Sequence, residues 1–290
     1  MVATLAPSSA NFRSLRINVY QRKNLGQFTG QGFYIKLTHV LELLLAILLG
    51  AIMGGALGLV GTGGAILAVP ALVYLFGFSA LEATTASLVI VIAAAAVSAR
   101  SRAKARQIDY RGAAILWSIG IVGNAIGAVA SKSASDFVLL AGISLVILGA
   151  ATSMWIRSFQ GEIVAKERHP IVLPIMGTLI GFIAGFFGVG GAFLVVPTLI
   201  LAFGVSAHVA AGTGLIVMLL NSTTALLIRF DTWSKVEWGL PLVVLTSAVV
   251  LATVAGKKGT RLKSKSLERG FAGLLLMVGL FTFIETIFFS

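Results

Sequence analysis

The stretch Gly58-Leu59-Val60-Gly61-Thr62-Gly63-Gly64-Ala65-Ile66-Leu67-Ala68-Val69-Pro70 returns 127 residues later, without a gap, as Gly185-Phe186-Phe187-Gly188-Val189-Gly190-Gly191-Ala192-Phe193-Leu194-Val195-Val196-Pro197. The match runs on through Phe76-Gly77 and Ser79-Ala80 against Phe203-Gly204 and Ser206-Ala207, then reaches Ala83 against Ala210 and Leu88 against Leu215. A weaker echo, one residue out of step, pairs Ile108-Asp109-Tyr110 with Val236-Glu237-Trp238. One unit is therefore used twice. The expected organisation is a basic N-terminal tail over 1–36, a first transmembrane repeat over 37–157, a connecting loop over 158–170 and a second transmembrane repeat over 171–290.

The two motifs lie in apolar surroundings. Of 290 residues, 58% are hydrophobic and 11% charged, whereas a soluble chain carries roughly a quarter charged residues. A helix needs about 17 to 25 apolar residues to cross a bilayer, and uncharged stretches of that kind occur at 83–99, 113–130, 137–156, 208–228, 239–256 and 270–284. The motif-bearing tracts, 40–77 and 171–204, are too long for one straight crossing at about 1.5 Å per residue. Each must break, re-enter or cross twice. The expected fold is an all-α polytopic integral membrane protein.

Charge orients the two halves. Of the net charge of +12, a large share lies in two loops. The segment 100–111 holds Arg100, Arg102, Lys104, Arg106 and Arg111 against Asp109, while its second-half counterpart, 229–238, balances Arg229 and Lys235 against Asp231 and Glu237. The next loop reverses this: 131–136 has only Lys132 and Asp136, whereas its counterpart carries Lys257, Lys258, Arg261, Lys263 and Lys265. Basic loops stay cytosolic during insertion, so the exchange predicts inverted repeats of five segments each, with a broken glycine-rich helix pair opening each half. Eight crossings with parallel halves is the alternative. The five-plus-five arrangement puts the tail, with Arg13, Arg16, Arg22 and Lys23, on the outer side, against its charge. The tail reads first as a plain cytosolic tail and second, by composition, as an organelle transit segment.

The absence of cysteine excludes disulfides and thiolate metal sites, and the basic loops beside apolar spans point to insertion rather than to nucleic acid. The glycine motifs lack the lysine and Ser/Thr of a phosphate-binding P-loop. Glycines midway along an apolar tract can take positive φ, and a short helix starting after such a turn directs its positive end at the break, which suits an anion. Irregular backbone at membrane depth must be buried in protein or line water. Gly61, Thr62, Gly63 and Gly64, with Gly188, Gly190 and Gly191, are therefore candidate substrate-binding positions, and Pro70 and Pro197 mark the structural breaks. Gly54, Gly55, Gly58, Gly177, Gly181 and Gly185 suit close helix packing instead.

Polar residues inside spans cost free energy unless paired. Asn221 is a candidate ligand contact on this ground. Ser87 and Thr213, on sequence-matched helices, could present hydroxyls near the breaks, and Asn124 lies within another span. Glu82, His208 and Glu285 sit at span ends and read as interfacial, as do Trp155, Trp233, Trp238, Tyr74 and Tyr110. Arg229 ends the Asn221 helix, where snorkelling to the headgroups is the expected fate and offering charge to an arriving anion the alternative. Two differences between the halves, Thr62 against Val189 and Glu82 against Val209, suggest where substrate and driving ion part company.

With the duplicated Gly-x-Gly-Gly and proline pattern at Gly61 to Pro70 and Gly188 to Pro197, the following Phe-Gly-x-Ser-Ala and the acidic-aromatic pair, the sequence resembles the TauE/SafE, or sulfite exporter, family of membrane permeases over about 250 residues. The resemblance implies transport of small sulfur-containing or organic anions such as sulfite, sulfoacetate or thiosulfate. It transfers no substrate residue by residue.

The resulting expectation is a secondary transporter of small anions working by alternating access, the halves rocking about one central site, with an anion channel or a non-transporting assembly subunit as alternatives. An enzyme is not expected, because the three histidines have no helical partners within a span. No cofactor or metal is expected. The expected partners are a small anionic substrate, the lipid bilayer and a coupling ion, H+ or Na+. The expected location is an integral membrane, the bacterial plasma membrane first and an organelle membrane second.

Overall fold

A computed structural model describes residues 29–61, 64–159, 172–203, 205–259 and 265–289. The connecting loop, Thr62, Gly63 and most of the N-terminal tail lie outside these residues. The described chain forms ten α-helices: α1 (Thr29–Leu59), α2 (Ala68–Tyr74), α3 (Ala80–Lys104), α4 (Tyr110–Ser133), α5 (Asp136–Phe159), α6 (Val172–Phe187), α7 (Ala192–Phe203), α8 (Ala207–Ile228), α9 (Gly239–Gly259) and α10 (Lys265–Phe289). A 3-10 turn, Gly64–Leu67, precedes α2, and another, Phe230–Lys235, follows α8.

Seven of the described helices are long and apolar enough to cross a bilayer: α3, α4, α8 and α9 along their length, α1 over Thr38–Leu59, α5 over Asp136–Ile156 and α10 over Arg269–Phe288. Each expected uncharged span falls inside one of them. Both long tracts break at their glycines, as α1 with α2 and α6 with α7. With 16 residues, α6 reaches only about 24 Å, and α2 and α7 are shorter still. Apolar side chains such as Leu44, Leu48, Val122, Ile126, Val250 and Val254 face outward, as a chain solvated by lipid requires.

Glycine determines the tightest packing. Gly50, Gly54 and Gly58 of α1 meet Val244, Ala248 and Ala255 of α9 in turn, so closely that a Cβ on Gly54 would overlap the Ala248 carbonyl. The same register recurs between α6 and α4, where Gly177, Gly181 and Gly185 meet Ile119, Gly120 and Asn124. Contacts that advance together along both chains make each pair parallel. With little hydrophobic drive between helices in lipid, such backbone approach is the main source of association.

The third helix of each half fixes their relative direction. Thr84, at the start of α3, touches Arg229 at the end of α8, whereas Arg102, at the end of α3, lies with Ala211 of the start of α8 around Gly61. Sequence-matched α3 and α8 are thus antiparallel. Two polar contacts sort the loops by face. Ser101 packs against Gly256, which brings the basic ends of α3 and α9 together. Lys132 bonds Asp231 at 2.6 Å, which joins the near-neutral ends of α4 and α8 at the other face. The helix starts follow local chemistry: Ser79 and Glu82 form a reciprocal capping box on α3, and Asp109 accepts from Gly112 N at 2.9 Å to cap α4.

Candidate functional site

The glycine breaks adopt the backbone their sequence permits. Gly61 (φ +82°), Gly188 (φ +68°), Gly190 (φ +71°) and Gly191 (φ +76°) all occupy the left-handed region, where a side chain is strained. Gly64 instead opens the 3-10 turn and lies against the backbone of Met53 and Leu57. Pro70 falls within the first turns of α2, while Pro197 lies inside α7.

The second break is built around α8 and the start of α3. Ser87 Oγ lies 2.8 Å from both the Gly188 and the Thr84 carbonyls, so this candidate hydroxyl meets the opposite half's glycine motif. Gly190 reaches Met218 and Ser222 near the middle of α8. Ser222 Oγ is buried without a partner, as is Oδ1 of its neighbour Asn221. The Asn221 backbone carbonyl accepts from Asn124 Nδ2 at 3.2 Å, and Asn124 Oδ1 is likewise unpartnered. Buried polar atoms without partners are uncommon, and three of them gather where α8 passes the break.

Thr213 is not part of that group. Its Oγ1 accepts from Asp109 N at 2.9 Å, at the opposite end of α8, two residues from the Ala211 that touches Gly61. The outer glycines are correspondingly far apart. Gly188 sits beside Ser87 and Gly61 beside Arg102 on the same helix, fifteen residues or about 22 Å of α3 apart. The inner glycines of the second motif lie deeper, Gly190 beside Met218 of α8 and Gly191 beside Ile180 of α6.

Two expectations need correcting. Arg229 does not snorkel. Its side chain is 0% exposed; Nη2 donates to the Gly185 and Phe186 carbonyls at the end of α6, and Nη1 donates to Thr84 Oγ1 at 2.9 Å. The end of a helix leaves carbonyls unsatisfied, and at this end a guanidinium takes two of them. Arg102 is not a loop charge either. It is 2% exposed, with Nη2 3.3 Å from the Leu59 carbonyl at the end of α1. Glu82 completes the cap of α3, whereas in the other half Val209 stands there and Ser206 makes no side-chain cap.

Arg102 and Arg229 stand 127 positions apart, the offset of the glycine motifs. Neither is paired with a carboxylate among the described residues. The residue offset alone could have drawn attention to both.

A polytopic helical chain with duplicated breaks and polar groups buried beside them has the make-up of a membrane transporter. The comparisons agree: the profile described as "Sulfite exporter TauE/SafE" matches residues 45–282, and the chain belongs to that family. It is 25% identical over 273 residues to "Probable membrane transporter protein YunE" of Bacillus subtilis, covering 86% of this chain and 100% of that one. A "Probable membrane transporter protein" of Xylella fastidiosa is 27% identical over 252 residues, covering 80% and 91%. The archaeal "Probable membrane transporter protein MJ0441" of Methanocaldococcus jannaschii is 25% identical over 191 residues, covering 63% and 71%. No solved structure gives a significant match. The protein is an integral membrane protein with the bilayer and a small substrate as its partners, and its bacterial relatives indicate the plasma membrane.

Proposed function

We propose that this protein is a secondary transporter of small anions, of the sulfite or organosulfonate class, working by alternating access between inverted repeats. The observation that carries this reading is the antiparallel course of α3 and α8, each beside the glycine break of one half. Halves of opposite sense, with irregular backbone between them, offer equivalent structures to the two sides of the membrane. The family supports the substrate class, and the positive end of α7, starting at Ala192 directly after Gly190 and Gly191, supports a negative ligand. The strongly basic face, with Arg100, Lys104, Arg106, Lys257 and Lys258, is the cytosolic one on this reading. The coupling ion is H+ or Na+.

The test is flux in proteoliposomes carrying the purified full-length chain. Uptake of sulfite or sulfoacetate should saturate with concentration and should respond to an imposed proton or sodium gradient. Flux that rises without saturation and ignores both gradients would instead assign a channel.

A further inference from the structure

We propose that Arg102, together with Ser98 and the Gly61 turn, is an oxyanion-binding site, and that Arg229 at the matching place is a clamp rather than a ligand group. This rests on the anion-transporter reading and gives it a binding residue.

The two arginines occupy equivalent positions but are used differently. Arg229 commits Nη1 and Nη2 to three protein oxygens. Arg102 makes one long bond, to the Leu59 carbonyl; its Nε has no partner, as is also true of Arg229 Nε, but its Nη1 has none either, although the residue is almost wholly buried. Those two nitrogens carry three N–H bonds. Leaving them unsatisfied in a dry interior costs free energy, and leaving the cation without a counter-charge costs more.

The sequence accounts for the difference. Thr84, whose hydroxyl receives Arg229, is matched 127 residues later by Ala211, and the Ala211 methyl does lie beside Gly61 with the Arg102 guanidinium. The position matching the one that gives Arg229 an oxygen thus holds a methyl in the surroundings of Arg102. Conversely Ser98, one helical turn before Arg102 on the same face of α3, is matched by Ala225. Its Oγ is buried and unpartnered too. Arg102 lacks the hydroxyl that latches the second half's arginine and has another one helical turn away on its own helix. A guanidinium and a hydroxyl, both open, are complementary to an anion with two or more terminal oxygens, such as a sulfite or a sulfonate. At Gly61 a side chain would run into the guanidinium itself.

Lipid phosphate has the same chemistry, so the test separates the sources. Full-length protein in detergent is melted against sulfite, sulfoacetate and sulfate, and separately against added phosphatidylglycerol, because a ligand of the folded state raises Tm. At least one free anion should stabilise the wild type. Arg102→Gln should weaken that binding by at least about tenfold, and Ser98→Ala by several-fold; Arg102→Lys should keep part of it. Should Arg102→Gln fail to fold, Ser98→Ala decides, through the same titration and through the KM for flux. Unchanged anion affinity in Arg102→Gln or, failing that, in Ser98→Ala overturns this site and leaves the transporter reading standing. Stabilisation by phosphatidylglycerol alone also overturns it, as a lipid site. Absence of both stabilisation and flux with every anion removes the transporter reading, and the site with it.

Discussion

Arg229 Nη1 lies 2.9 Å from Thr84 Oγ1, a bond that joins the end of α8 to the start of α3 while the same guanidinium holds the end of α6. Replacing Arg229 by Gln or Met removes the donor to two buried carbonyls, which should lower stability by on the order of 3 kcal/mol. Thr84→Val should lose about 1 kcal/mol, and the pair should be non-additive. Thermal unfolding of the two single variants and the double variant measures the coupling, and strict additivity would mean that the bond contributes nothing.

Gly54 and Gly55 are neighbours with opposite expectations. A Cβ on Gly54 overlaps the Ala248 carbonyl, whereas one on Gly55 meets nothing within 4 Å. Gly54→Ala should destabilise by about 1–3 kcal/mol, and Gly181→Ala should do the same against the Gly120 carbonyl. Gly55→Ala should be neutral or stabilise by up to about 1 kcal/mol, through helix propensity. Equal Tm changes at positions 54 and 55 would show that the α1–α9 contact is looser than described.

Glu82→Gln tests the assignment of that carboxylate to a cap. The Ser79 backbone N–H donates to Glu82 Oε2 at 2.9 Å, and an amide oxygen can accept the same bond. The variant should therefore melt within about 0.5 kcal/mol of the wild type, with the pH dependence of flux intact. A flux that becomes independent of pH would return Glu82 to proton coupling.

The Lys132–Asp231 bond makes a small pH-dependent contribution. Its hydrogen bond holds the Asp231 carboxyl below the ordinary carboxylate range. A carboxyl lowered in the folded state stabilises above its unfolded pKa, and this is lost as pH falls through the folded one. Wild type should thus melt slightly above Asp231→Asn at neutral pH, and the gap should close on acidification. The pair is exposed, so the gap is small. A gap that persists in acid would assign it to something other than the ion pair.

The chain has no cysteine, so single cysteines can report topology without background. Cysteines at positions 106 and 258 should label from one face and a cysteine at 132 from the other. Labelling of 106 and 258 from opposite faces would overturn the direction assigned to α9.

Much of the fold was legible because the bilayer penalises polar residues along every lipid-facing turn, which turns spans into uncharged stretches such as 208–228. The breaks were legible because Gly61 and Gly188 recur at one offset with a proline following. The arginines were misread for the same kind of reason. A basic residue at the end of an apolar run looks alike whether it reaches headgroups or turns inward, and only the carbonyls at the ends of α1 and α6 distinguish the two fates. Asn221 shows a further limit: an amide within a span signals a need for partners, and sequence cannot say that Asn124 meets its backbone rather than its side chain. The Glu82 cap was legible but not read, since Ser79-x-x-Glu82 is a local signal that requires no tertiary contact.

The glycine seams also determine which parts can move as bodies. Each half gives its first helix to the fourth helix of the other half, α1 to α9 and α6 to α4, at backbone contact that leaves no room for sliding. The seam in the sequence is therefore not a seam in the machine. A rigid-body separation of the two halves would have to part both of these close-packed interfaces. The close-packed units are two mixed pairs, and α2 and α7, the short helices that follow the breaks, lie outside them.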